Sequence, residues 1–114
     1  MSSIIVPTAP VIPVTLNQAE DCTAWFDIEI QNFSPMEMMQ VLTKRQPYCD
    51  NSYCEALAIV NREREALGIP LSRFFFGGFS MGAHLAAVVG LQMPTPIGGI
   101  LMLSGLIMGL PLKI

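Results

Sequence analysis

A chain of 114 residues with a formal net charge of −3 is one domain at most, long enough to bury a single hydrophobic core. Its six basic residues, Lys44, Arg45, Arg62, Arg64, Arg73 and Lys113, are scattered and form no basic stripe, so no nucleic-acid partner is expected. Hydrophobic residues make up 52% of the chain, and no Asp, Glu, Lys or Arg lies between Phe74 and Leu112, a stretch that has to be buried somewhere.

In chain order, Ile4, Ile5 and Val6 form a β-branched run closed by Pro7, which predicts a buried strand at the start. Pro7, Pro10 and Pro13 then keep the backbone extended. Residues 14–33 mix apolar and acidic side chains without a clear period and read as loop, with a short strand around Trp25 and Phe26. Asn32-Phe33-Ser34-Pro35 predicts a turn into a short helix over 36–43, with Ser34 as its cap and Pro35 at its first position. The methionines Met36, Met38 and Met39 in that helix read as core filler.

The best-defined helix follows. Ser52 and Glu55 have capping-box spacing, and Tyr53, Leu57, Val60, Arg64 and Leu67 fall on one face. Gly68 ends the helix, and Pro70 prevents its resumption. Arg62, Glu63 and Glu65 lie on the other side as a solvated surface. The aromatic run Arg73-Phe74-Phe75-Phe76 then fits a buried parallel strand, and a helix over 81–92 follows it. A turn through Pro94 and Pro96 leads to a strand over 100–103. Strand, helix, strand in this order predicts a right-handed βαβ unit.

Between the aromatic strand and the small-residue helix stands Gly77-Gly78-Phe79-Ser80-Met81-Gly82. Within it, Gly78 to Gly82 match the pattern G-x-S-x-G, a nucleophile elbow: the serine sits on a sharp strand-to-helix turn and its hydroxyl projects clear of the backbone. The flanking glycines remove Cβ atoms that would collide there. The start of the helix supplies unpaired N–H groups and the positive dipole end, so a developing oxyanion is favoured, with the Met81 N–H as one donor. A Gly/Ser-rich turn of an ordinary α/β protein is the competing reading of the same residues.

Pro94 and Pro96 interrupt the uncharged stretch, and Ile97 to Leu110 is shorter than the roughly 20 apolar residues a span needs, so no stable membrane span is expected. Three cysteines, Cys22, Cys49 and Cys54, and an N-terminus without a basic and then apolar leader suggest reduced thiols and a cytoplasmic location. Cys49 and Cys54 lack a second ligand pair, and the sole histidine is distant in sequence, so neither a metal nor another cofactor is expected.

Several separated segments agree with one family. Pro7-Thr8-Ala9-Pro10 with Ile12-Pro13-Val14-Thr15, Ala24-Trp25-Phe26-Asp27, Leu67-Gly68-Ile69-Pro70 with Ser72-Arg73, and the elbow itself occur in matching order and spacing. In these segments the chain resembles the acyl-protein thioesterase, lysophospholipase and carboxylesterase group of α/β-hydrolases. The Gly-Phe-Ser-Met-Gly form and Met39-Gln40-Val41-Leu42-Thr43 are most similar to the lysophospholipase-like branch. The resemblance implies an α/β fold, a parallel sheet with flanking helices. It also implies a serine hydrolase of carboxylic esters or thioesters, acting on acylated proteins, including palmitoylated cysteines, or on lipid esters. Ser80 is then the nucleophile, Met81 an oxyanion donor, and Trp25 a residue of the acyl-binding region, with a purely structural aromatic as the alternative for Trp25.

A serine nucleophile needs a base and a carboxylate to orient it, and in α/β-hydrolases both follow the serine in the chain. After Ser80 there is no Asp or Glu, and the only histidine, His84, lies on the following helix, away from the direction in which the elbow sends the hydroxyl. His84 is expected to be a helix-face residue. The family's His-Gly-x-Gly-Asp loop is absent as well. Residues 1–114 are therefore expected to be one partial α/β-hydrolase domain lacking N-terminal and C-terminal strands, with exposed sheet edges and apolar surface. Three readings stay open: a hydrolase segment inactive alone, a non-catalytic interaction or acyl-binding module, or a site completed by oligomerisation or a separate chain. The oligomeric state is not indicated.

Overall fold

A computed structural model describes residues 3–15, 18–28, 34–43, 49–105 and 107. Residues 3–10 have no regular structure, and Ile4 and Val6 are 88% and 85% exposed, so the strand expected over 4–6 does not form. A β-branched run becomes a strand only where a neighbouring edge takes its backbone hydrogen bonds, and no described strand lies alongside it.

The chain turns instead into an antiparallel hairpin of β1 (Val11–Val14) and β2 (Glu20–Thr23), with Val11 opposite Thr23 and Val14 opposite Glu20. Ile12 and Val14 point inward and, with Ala24, form a small core, while Val11 and Pro13 point out. Period-two burial of this kind is the mark of a half-buried strand. Gln18 and Ala19 both adopt left-handed backbone, φ 55° and 59°, and the Ala19 N–H closes on the Val14 carbonyl at 3.0 Å. Tight hairpin turns usually put glycine or asparagine at such positions. Leu16-Asn17-Gln18-Ala19 carries no glycine to mark the turn, and the region, which has no clear hydrophobic period, reads as loop from the sequence. Trp25 and Phe26 sit in a bend after β2, not in a strand.

Helix α1 (Pro35–Thr43) begins as expected, with the Glu37 N–H donating to Ser34 Oγ at 3.2 Å. Asn32 and Phe33 of the predicted turn, and the side chain of Met38, lie outside the described residues; Met36 and Met39 are exposed and do not fill a core. Helix α2 (Cys49–Leu67) starts three residues before the predicted cap, which places Ser52 inside its first turn with its side chain directed inward, and no capping box forms. Val60 is buried, Tyr53, Leu57 and Arg64 are half-buried, and Leu67 is largely exposed where the helix runs out. Glu63 is also half-buried, at 3.8 Å from Arg62 Nε. Gly68 closes the helix at φ 63°, its N–H on the Arg64 carbonyl at 2.9 Å.

After a 3₁₀ turn (Leu71–Arg73), β3 (Phe75–Phe79), α3 (Met81–Leu91) and β4 (Gly99–Leu103) make the expected strand, helix, strand unit. The strands are parallel, with Phe75 beside Gly99 and Phe79 beside Leu103. Residues 83–90 of α3 are buried throughout, because the helix lies between this sheet and α2; a helix apolar on every side is stable only in such a place. Phe76, Gly78, Ile100 and Met102 face α3 and are half-buried. The opposite face shows Phe75 and Phe79, 74% and 69% exposed, together with Leu101 and Leu103, so the burial expected of the aromatic run fails on this face; the strand also starts later than expected, because Arg73 closes the 3₁₀ turn. The sheet is thus covered on one side only among the described residues, with bare apolar surface on the other.

Candidate functional site

The end of β3, the start of α3 and the end of β4 converge on Ser80. Its backbone stands at φ 54°, ψ −112°, a sparsely populated conformation that costs a non-glycine residue about 1–3 kcal/mol. The turn persists because both its sides are fastened. The Ser80 N–H donates to the Leu103 carbonyl at 2.7 Å, and the Ser80 carbonyl accepts from the N–H groups of Ala83 at 3.1 Å and His84 at 3.3 Å. Ser80 is the N-cap of α3, yet its side chain makes no capping hydrogen bond. A serine at that position ordinarily turns its oxygen back onto the helix N–H groups. Here the residue is exposed and its hydroxyl is not spent on the cap.

Met81 is the first residue of α3, so its N–H belongs to the helix end that has no intrahelical acceptor. Its partly buried side chain packs on Ile12, Val14 and Ala24, which joins the hairpin to the elbow. The two glycines of the pattern are there for different reasons. A Cβ on Gly78 would stand 2.2 Å from the carbonyl carbon and oxygen of Gly82 and 2.6 Å from the Ala83 nitrogen, so strand and helix meet at a distance only glycine permits. A Cβ on Gly82 would meet only Trp25 Nε1, at 3.8 Å, an ordinary contact. The expectation that both glycines relieve a collision holds for Gly78 and fails for Gly82.

Trp25 is therefore brought beside the elbow, half-buried, with its indole nitrogen toward the first turn of α3. Its neighbours hold it there. The Ser52 hydroxyl donates to the Trp25 carbonyl; Phe26 is wholly buried, edge-on to His84 with ring centroids 4.8 Å apart; and the buried Asp27 carboxylate accepts from the Thr15 N–H at 2.9 Å and the Thr15 hydroxyl at 2.6 Å. His84 is buried, with Nε2 4.0 Å from Cys49 Sγ, and its ring is committed to the packing of α3 against α2 and Phe26.

Sequence reasoning singled out Ser80, Met81 and Trp25, and the fold brings the three together. It missed Ser52, Asp27 with Thr15, and Gly105. A Cβ on Gly105 would lie 2.4 Å from the Ala83 Cβ and 2.8 Å from the Ser80 carbonyl oxygen, so this glycine lets the chain leaving β4 pass against the elbow. Thr15 and Asp27 stood in two of the segments noted above, but nothing local signals that they bond to one another. Among the described residues, no group of three His, Cys, Asp or Glu side chains could hold a metal ion, and no helix is long and apolar enough to cross a membrane.

Comparison with known proteins adds to this geometry. Residues 1–111 match the sequence profile of a phospholipase/carboxylesterase family. Acyl-protein thioesterase 1 of Eremothecium gossypii is 33% identical over 107 residues, covering 91% of this chain and 41% of that protein. The Schizosaccharomyces pombe acyl-protein thioesterase 1 is 35% identical over 104 residues, covering 89% and 42%. Among solved structures, SOBER1 of Arabidopsis thaliana superposes with a TM-score of 0.66 at 25% identity, covering 89% of this chain and 45% of that one, and a point variant of it reaches 0.73 at 28% identity. Acyl-protein thioesterase 2 of Zea mays gives 0.58 at 25% identity, over 90% and 44%. The chain spans less than half the length of each of these relatives.

Proposed function

The chain belongs to the phospholipase/carboxylesterase family, and from that premise we propose that it is the nucleophile-bearing part of a serine hydrolase of carboxylic esters or thioesters. The observation that carries the reading is Ser80: strained, exposed, at the N-terminus of α3, and with a hydroxyl not used as a cap. In the reaction, Ser80 Oγ bonds to the acyl carbon, and the carbonyl oxygen becomes an oxyanion that accepts from the Met81 N–H. The carbon to sulfur or carbon to oxygen bond of the leaving group then breaks, and the leaving group takes up the proton lost by Ser80. Water releases the acyl group from Ser80. Trp25 flanks the acyl chain.

The relay of that proton requires a base with a carboxylate behind it. No Asp or Glu follows Ser80 in the sequence, and His84 is occupied elsewhere, so this polypeptide is proposed to be inactive by itself and to act as part of one hydrolase domain with further residues. The substrates proposed are acylated proteins, palmitoylated cysteines among them, or lysophospholipids, in the cytoplasm and without a cofactor. The bare sheet face with Phe75, Phe79, Leu101 and Leu103 favours a second reading, a non-catalytic interaction module.

One experiment separates them. Residues 1–111 replace the matching segment of the Schizosaccharomyces pombe acyl-protein thioesterase 1, and a fluorophosphonate probe is applied to the chimaera and to the isolated chain. The expected result is labelling of the chimaera that Ser80→Ala abolishes, with none on the isolated chain. A folded chimaera that stays unlabelled, or labelling that survives Ser80→Ala, refutes the hydrolase reading.

A further inference from the structure

The bend holding Trp25, Phe26 and Asp27 belongs to no helix or strand, yet each of its residues is held by a different element. Asp27 is tied to Thr15 just past β1, Phe26 is fixed against His84 of α3, and the Trp25 carbonyl is tied to Ser52 of α2. Of these anchors Ser52 is the least expected. A serine in the first turn of a helix commonly serves the helix end or faces water. This one is wholly buried, and its hydroxyl spans from α2 to a carbonyl 27 residues away in sequence. Burying a hydroxyl is unfavourable unless it is paired, and the pairing made here orients the residue whose indole lies against the elbow.

We infer that Ser52 is a positioning residue for the site at Ser80. By holding the Trp25 carbonyl it fixes the path of the bend, and so keeps the indole as a stationary wall beside Gly82 instead of a side chain that swings with a loop. The indole's role as a wall for the acyl group rests on the function proposed above; the anchoring itself does not.

Trp25 is the only tryptophan, so fluorescence excited at the red edge of the indole band, where the two tyrosines do not absorb, reports on this position alone. The test compares acrylamide quenching and emission wavelength of the parent chain with Ser52→Ala, and with Val60→Ala as a variant that weakens the buried face of the same helix further along and leaves the Ser52 hydroxyl in place. The expected result is a rise of about twofold in the quenching constant and a red shift in Ser52→Ala, with the parent signal retained in Val60→Ala at a comparable loss of melting temperature. If Ser52→Ala does not fold, Ser52→Cys fills the site with a slightly larger side chain and a weaker donor and should move in the same direction. An unchanged quenching constant in the folded Ser52 variant, or an equal rise in Val60→Ala, overturns the inference. Titration with decanoate decides the acyl role separately. Emission changes in the parent with about fivefold weaker half-saturation in Ser52→Ala support both claims, whereas no response of the parent removes the acyl role and leaves the anchoring to the quenching result.

Discussion

The two glycines of the elbow should respond oppositely to the same substitution. In Gly78→Ala, the new methyl would sit 2.2 Å from two Gly82 backbone atoms and 2.6 Å from the Ala83 nitrogen. None of these can rotate away as a side-chain tip could; β3 and the first turn of α3 would have to separate by about 1.5 Å to restore ordinary contact. Separation loosens the Ser80 to Leu103 hydrogen bond and the close packing of Gly105 on Ala83, which fasten the same turn. Overpacking against rigid backbone places the cost at about 3 kcal/mol, the upper part of the usual range. That is roughly a hundredfold in the folding equilibrium. In Gly82→Ala the methyl meets only Trp25 Nε1 at 3.8 Å, and alanine is the better helix former, so stability should be unchanged or higher by about 0.5–1 kcal/mol. Urea unfolding followed by far-UV circular dichroism measures both against the parent chain. Equal midpoints for Gly78→Ala and the parent, or an equal loss in Gly82→Ala, would refute the argument from close approach.

Ser80→Gly removes the hydroxyl and relieves the φ 54° strain, so it should be more stable than Ser80→Ala by about 1 kcal/mol in thermal unfolding, and a less stable glycine variant would count against strain at the elbow. Asp27→Ala strands the Thr15 N–H and hydroxyl and should cost about 2–3 kcal/mol; in a double-mutant cycle with Thr15→Val, which removes only the hydroxyl, a coupling of about 1 kcal/mol is expected, and additivity would show that the hydroxyl does not interact with the carboxylate. Phe75→Lys with Leu101→Glu changes only the bare sheet face, so stability should shift by less than about 0.5 kcal/mol while binding of a dye specific for apolar surface falls; a large loss of stability would mean that this face is packed.

What could be read in the sequence is what neighbouring residues decide among themselves. Ser34 and Pro35 start α1, Gly68 and Pro70 stop α2, and an apolar strand, a G-x-S-x-G turn and a small-residue helix announce β3, the elbow and α3, because each signal acts within a turn or two of the chain. The errors fall where a distant partner decides. The run over 4–6 has the composition of a strand but no described edge to pair with, and the hairpin of β1 and β2 closes through left-handed Gln18 and Ala19, which no glycine marks. Ser52 has the spacing of a cap, but α2 begins earlier and brings Cys49 against His84, which turns the serine to the Trp25 carbonyl.

The sequence by itself carried the family, through several segments that resemble it in order and spacing, and the nucleophile candidate, since the elbow's strand, turn and helix are contiguous and their chemistry is local. Only the tertiary structure decided which glycine is a steric necessity, what holds Trp25 beside Ser80, and that His84 is packing. Those outcomes depend on which surfaces meet, and segments remote in the chain meet only when the whole core closes.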